Sequence, residues 1–223
     1  MLKTFTTSSG LLQILRELML IPELANFRLV GGTALSLLKG HRMSEDIDLF
    51  ASEPYGSIDF KRIEETLQAK FPFFYNPEAD IPALQALENH YGLKLSIGFT
   101  QDEPVKVDII NWGEPFLFPT QDIEGIRIAT IEEIALMKMD AIARGGRKKD
   151  FWDILEILDE YSLTQLLELY ASKYPYHDVS KVVEGLDDFS IAEQVPDPIC
   201  LKGKHWELVK KEMKQEVSKL RTS

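Results

Sequence analysis

Two aspartates one residue apart, Asp46 and Asp48, are the side chains in this 223-residue sequence best placed to do chemistry. On a strand, residues two apart share a face, so "DIDLF" presents both carboxylates together while Ile47 and Leu49 enter the core. Carboxylates this close repel, and one pKa rises unless a cation lies between them. A divalent ion removes the difficulty: Asp oxygens are the hard ligands Mg²⁺ prefers, with water and substrate phosphate completing the octahedron. A third carboxylate comes from "VKVDII", where alternation sets Lys106 and Asp108 opposite Val105, Val107 and Ile109. The expected metal ligands are Asp46, Asp48 and Asp108, and the same three residues are the expected centre of catalysis.

The elements needed to hold such a site lie just before it. "FRLV" at 27 to 30 reads as a short strand entering Gly31-Gly32, and "TALSLLKG" as a helix closed by Gly40. A strand that runs through glycines into a helix lets backbone approach a ligand, and the helix N-terminus supplies unpaired N–H groups for phosphate. Thr33 adds a hydroxyl. Arg42 and Ser44 are ordinary loop residues when taken singly, and His41 reads as a surface histidine. In this order the parts describe a site for a metal-bound triphosphate, with Gly31, Gly32, Thr33, Arg42 and Ser44 as its nucleotide-binding residues.

Along the rest of the chain, Ser8 or Ser9 is placed to cap a helix carrying Leu11, Leu12, Ile14, Leu15, Leu18 and Met19 at helical spacing, with Pro22 beyond its end. Residues 57 to 71 read as a helix. "LQALEN", "LKLSIGF", "VKVDIIN" and "GIRIA" read as strands. From Thr130, which forms a capping-box pattern with Glu133, the pattern is helical almost to the end. The expected fold class is α+β: an N-terminal mixed-sheet lobe over residues 1–129, then an α-helical lobe over 130–223.

Composition limits the alternatives. With 44% hydrophobic and 27% charged residues and no run of eighteen apolar residues, the sequence reads as a soluble protein without a membrane span. Its start lacks a signal-peptide pattern, and a single cysteine, Cys200, fits a reducing cytoplasm. The net charge of −11 argues against nonspecific adhesion to nucleic acid. Two local basic tracts stand out. Residues 204 to 223 carry net charge +3, a contact surface or simply a solvated helix face, and Arg144, Arg147, Lys148 and Lys149 fall within six positions.

Gly31-Gly32, thirteen residues, Asp46-Ile47-Asp48 and a later Asp108 together resemble the DNA polymerase β-like nucleotidyltransferase superfamily. The fuller string "GGTALSLLKGHRMSEDIDLF" resembles its AbiEii/AbiGii branch, toxins of bacterial toxin–antitoxin and phage-defence systems. The branch's later lysine and R-x-K-D element are matched by Lys138 in "IALMK" and by Arg147, Lys149 and Asp150 in "RKKD"; the likeness spans about residues 27 to 155. The resemblance implies that Asp46 and Asp48 hold Mg²⁺, with two ions expected, and that Asp108 assists the metal or the attacking hydroxyl. It also implies that Gly32 and Thr33 hold the triphosphate, Lys138 meets nucleotide phosphate, and Asp150 completes the site from the helical lobe.

The implied reaction is Mg²⁺-dependent transfer of a nucleoside monophosphate from an NTP to an acceptor hydroxyl, with pyrophosphate leaving. The acceptor is expected to be RNA such as tRNA, or a protein; the rivals are a small-molecule, aminoglycoside-type acceptor and a non-catalytic nucleotide- or partner-binding relative. A cognate antitoxin is a possible partner. Simpler readings stand beside these. Asp150 would N-cap a helix beginning at Phe151, Lys149 and Asp153 would form a helix-surface pair, and so would Asp140 and Arg144, while Phe151 and Trp152 would be core. Lys138 is the exception: its helical neighbours Ile134, Ala135, Ala141 and Ile142 are all apolar, so it is expected to reach into a cleft where triphosphate supplies its counter-charge, and to be removable without unfolding the chain.

Overall fold

The computed structural model describes residues 1–77 and 91–220, and the strand expected over residues 84 to 89 lies outside them. Seven strands form one mixed sheet: β1 (Arg28–Val30), β2 (Asp46–Ala51), β3 (Phe73–Tyr75), β4 (Gly92–Gly98), β5 (Val105–Asn111), β6 (Gln121–Ile123) and β7 (Ile126–Ile128). Their spatial order is β3-β4-β5-β2-β1-β7-β6. The two central neighbours β2 and β5 run parallel, as do β1 and β7, and the other pairs are antiparallel.

Alternation is clear on the central strands. Ile47, Leu49 and Ala51 of β2 and Val105, Val107 and Ile109 of β5 are buried, so each strand turns its charged residues to the other face. The short β6 joins β7 through Glu124 and Gly125, both at positive φ (56° and 79°), the backbone of a two-residue hairpin turn. That turn explains a strand that hydropathy does not reveal, since only Ile123 in β6 escapes full exposure.

Helix α1 (Ser9–Met19) begins at Ser8, whose hydroxyl accepts from the Leu11 N–H at 3.1 Å, and buries Leu11, Ile14, Leu15, Leu18 and Met19. Helix α2 (Gly31–Lys39) starts directly at the double glycine and ends at Gly40 in the left-handed region, φ 70°. Helix α3 (Phe60–Lys70) packs near β3 and β4. After β7 come α4 (Ile131–Ala143), α5 (Lys148–Ile157), α6 (Leu163–Lys173), α7 (Val179–Asp187) and α8 (Trp206–Leu220). The fold is α+β, with all described strands before the five-helix stretch.

One hydrophobic core runs through sheet and helices alike. Phe151 and Trp152 belong to it, as expected, with Trp152 stacked on Trp206 at 5.7 Å. The basic tail forms α8, whose Trp206, Val209, Met213 and Val217 make a buried stripe at helical spacing and whose lysines face outward. Late chain also pins an early loop: the Met43 N–H donates to the Ile199 carbonyl and the Leu201 N–H to the His41 carbonyl, both at 2.9 Å.

Candidate active site

Parallel pairing of β2 with β5 sets Asp48 directly beside Asp108 and Asp46 beside Lys106. Neighbouring strands lie about 4.8 Å apart, so the Asp48 and Asp108 side chains rise together from one face. Asp48 takes no cation in ion-pair contact among the described residues, and burial, then the charges of Asp108 and Asp46, push its carboxyl above the usual range, with Lys138 and Lys149 opposing. The Asp108 Oδ1 is buried without a hydrogen-bond partner, while its Oδ2 meets Lys106 Nζ at 3.2 Å. Asp46 is partly exposed and lies 3.5 Å from Lys149 Nζ.

These donors suit an open Mg²⁺ site. No three His, Cys, Asp or Glu side chains among the described residues close up as a cage. What exists is a register pair of hard carboxylates with a third one pleat away, including one orphaned oxygen and one carboxyl destabilised as an anion. Mg²⁺ is typically held by one or two carboxylates plus water and substrate phosphate, so a set that substrate must complete matches its habits.

The double glycine makes room for this site rather than merely turning the chain. Gly31 has φ +68°, and a Cβ there would collide with the Asp48 carboxylate; one on Gly32 would collide with the Arg42 guanidinium. From Gly31 and Asp48 a cleft of about 340 Å³ extends to α4 and the loop before α5, lined also by Phe50, Trp112, Met137, Lys138, Arg144, Arg147 and Asp150. Lys138 and Asp150 in its wall are paired, Nζ to Oδ1 at 2.6 Å.

The chain matches, over residues 13–222, the family model described as nucleotidyl transferase AbiEii toxin, type IV toxin–antitoxin system. It belongs to this family. As a member it is a nucleotidyltransferase of the toxin type. An uncharacterised protein of Aquifex aeolicus (strain VF5) is 32% identical over 199 residues, 86% of each chain. Two solved structures share the fold. MenT4, a nucleotidyltransferase toxin of Mycobacterium tuberculosis H37Rv, has TM-score 0.55 at 14% identity, covering 93% of this chain and 82% of that one. A candidate nucleotidyltransferase of H. pylori has TM-score 0.51 at 20% identity, covering 95% and 93%.

Several residues of this AbiEii-family chain sit otherwise than their sequence neighbourhood predicts, and Asp153 is the reason. It is no surface partner of Lys149: it is fully buried, Oδ1 accepting from Arg42 Nε at 2.6 Å and lying 2.8 Å from His41 Nε2, Oδ2 accepting from Arg42 Nη2 and lying within 2.8 Å of Lys138 Nζ. Burial alone would raise its carboxyl, but Arg42 and Lys138 overcome that and hold it well below the usual carboxylate range. His41 is thus buried, and Arg42 spends its guanidinium inward, beneath Gly32. Thr33 also faces inward, its hydroxyl bridging the Asp46 carbonyl and the Ser44 hydroxyl, the latter at 2.9 Å. These contacts fix the loop that delivers β2.

Lys138, 8% exposed, has two protein carboxylates as counter-charges where none was expected, so its removal leaves buried carboxylates unpaired and is expected to cost stability. Burial opposes its charge, yet Asp153 and Asp150 raise its pKa. Asp150 is not the N-cap of α5. The helix starts at Lys148, and Asp150 sits in its first turn, where Oδ2 accepts from the Arg147 N–H at 2.9 Å. Asp140 is buried rather than superficial, accepting from Arg144 Nη2 at 2.6 Å and from Tyr170. The four-cation cluster divides too: Lys148 is buried against Asp197, Lys149 faces Asp46, and Arg144 and Arg147 remain exposed beside the cleft. Asp153 left one signal in the sequence: Lys138, with apolar helical neighbours, required an anion, and Asp150 with Asp153 share a helix face three residues apart.

Proposed function

We propose that this chain transfers a nucleoside monophosphate from an NTP to an acceptor hydroxyl in a Mg²⁺-dependent reaction, as the toxin of a pair with a cognate antitoxin. The observation that carries the reading is the register pair Asp48 and Asp108, with Asp46 on the same face, beside the start of α2 and the cleft. Mg²⁺, one or two ions held by Asp46, Asp48 and Asp108, would supply positive charge to the triphosphate and to the attacking and leaving oxygens. The protein's share is positional. Gly31 leaves the Asp48 carboxylate clear of side-chain obstruction, the N-terminus of α2 faces developing negative charge, and Asp108, beside Asp48 in register, would assist the metal or the attacking hydroxyl. Lys138 and Asp150 keep the opposite wall rigid and electrically balanced, and Arg144 and Arg147 add charge for phosphate at the rim.

The exposed arginines favour a polyanionic acceptor, an RNA end such as that of tRNA, over an aminoglycoside-type molecule or a protein. The test is incubation of the protein with each α-labelled NTP and Mg²⁺ in the presence of total tRNA, protein extract or aminoglycoside. Label is expected in the tRNA fraction. Label only in protein or in the aminoglycoside redirects the acceptor, and label in none contradicts the transfer itself.

A further inference from the structure

The strand that carries the carboxylates continues as an aromatic surface. On the face that presents Asp46 and Asp48 the next side chain is Phe50, half-buried, and it stacks on Trp112 with ring centroids 5.3 Å apart and 24° between planes. Trp112 directly follows β5 and is fixed by its N–H donating to the Ala51 carbonyl at 2.8 Å. The cleft is therefore lined by two unlike sets of side chains, the charged Asp48, Lys138, Arg144, Arg147 and Asp150 and the apolar Phe50, Trp112, Met137 and Ala141.

An NTP has the same asymmetry, a polyanion at one end and a flat π-face at the other. Two residues along a strand span roughly 6.6 Å, a distance comparable to a ribose, which separates the α-phosphate from the base. Among the described lining residues no Ser, Thr, Asn or Gln reaches the cleft to read a base edge, so what the apolar set offers is a ring face. We infer that Phe50 and Trp112 are the base-stacking platform for the incoming NTP, positioning residues that orient the nucleotide so that its α-phosphate lies over Asp48 whichever base it carries. The inference rests on the nucleotidyl-transfer reading above.

Equilibrium binding of NTP and of inorganic tripolyphosphate, both with Mg²⁺, to the wild type and to Phe50→Leu, Trp112→Leu and Phe50→Tyr separates base from phosphate; circular dichroism of each variant reports its folding. Stacking lost from one base corresponds to roughly a ten- to hundredfold weaker affinity. Either leucine variant, whichever folds, is expected to lose that much NTP affinity with tripolyphosphate binding unchanged, and Phe50→Tyr to keep both. Undiminished NTP binding in the leucine variants, or equal losses for NTP and tripolyphosphate, overturns the platform. So does unchanged NTP affinity with a raised acceptor KM, which would assign the rings to an acceptor base. A wild type that binds no NTP overturns the nucleotidyl-transfer reading and the platform with it, whereas a wild type that binds NTP as tightly as its leucine variants removes the platform alone.

Discussion

A half-buried carboxylate beside two others gains little from its charge until a cation arrives, which is the position of Asp48. Asp48→Asn removes repulsion, so its melting temperature is expected to equal or exceed that of the wild type while transfer falls below detection; thermal denaturation and labelled-NTP turnover check both halves. Asp153 behaves in the opposite way, because two buried cations depend on it. Asp153→Asn is expected to cost about 3–5 kcal/mol, a drop of roughly 10 °C in melting temperature, and Lys138→Ala a comparable amount. The pH dependence follows from the sign of the Asp153 shift. A carboxyl depressed in the folded state stabilises it fully above the unfolded value, about 3.9, and loses that contribution only as pH falls through the lower folded value. Below about pH 4 the wild type should therefore lose stability more steeply than Asp153→Asn, as urea titrations at stepped pH would show; parallel curves would deny Asp153 this role. Asp46 and Asp48 were readable as a pair from the sequence because strand alternation is local, whereas Asp108 comes beside them only through the pairing of β2 with β5. Asp153 was not readable, because its value depends on Arg42, 111 residues away.

At the scale of elements, the turn between β1 and α2 is shaped by the side chains that crowd it. A methyl at Gly31 meets Asp48 and strains a positive φ, and a methyl at Gly32 meets Arg42. Gly31→Ala should thus displace the carboxylate and suppress transfer, whereas Gly32→Ala should disturb the Arg42–Asp153 contacts and lower the melting temperature even without substrate. Near-normal activity and stability in both variants would mean that neither contact matters. The strands around this turn follow period-two burial and were legible to within a residue or two. β3 and β6 were not, being three residues long and paired on one side at the sheet's edges, where burial leaves almost no pattern. Helix α5 begins three residues before the apolar run that announces it, because Asp150 satisfies the Arg147 N–H from within the first turn.

In the whole molecule, sheet and helices share one core, and the Arg42–Asp153–Lys138 contacts join the loop before β2 to α4 and α5. Unfolding should consequently be one transition, with tryptophan fluorescence, from Trp112 beside the sheet and Trp152 and Trp206 in the helices, coinciding with far-ultraviolet circular dichroism; two separated transitions would mean that the helical stretch melts independently. The outward lysines of α8 lie on the face opposite its buried stripe and have no place in the cleft. The proposed reaction requires that the NTP α-phosphate be attacked over Asp48, which parallel incubations with α-labelled and γ-labelled NTP and the tRNA acceptor would check. Expected are α-label in the acceptor, γ-label in pyrophosphate, and neither product with Asp48→Asn. Transfer of the γ-label to the acceptor, or α-label incorporation that survives Asp48→Asn, would contradict it.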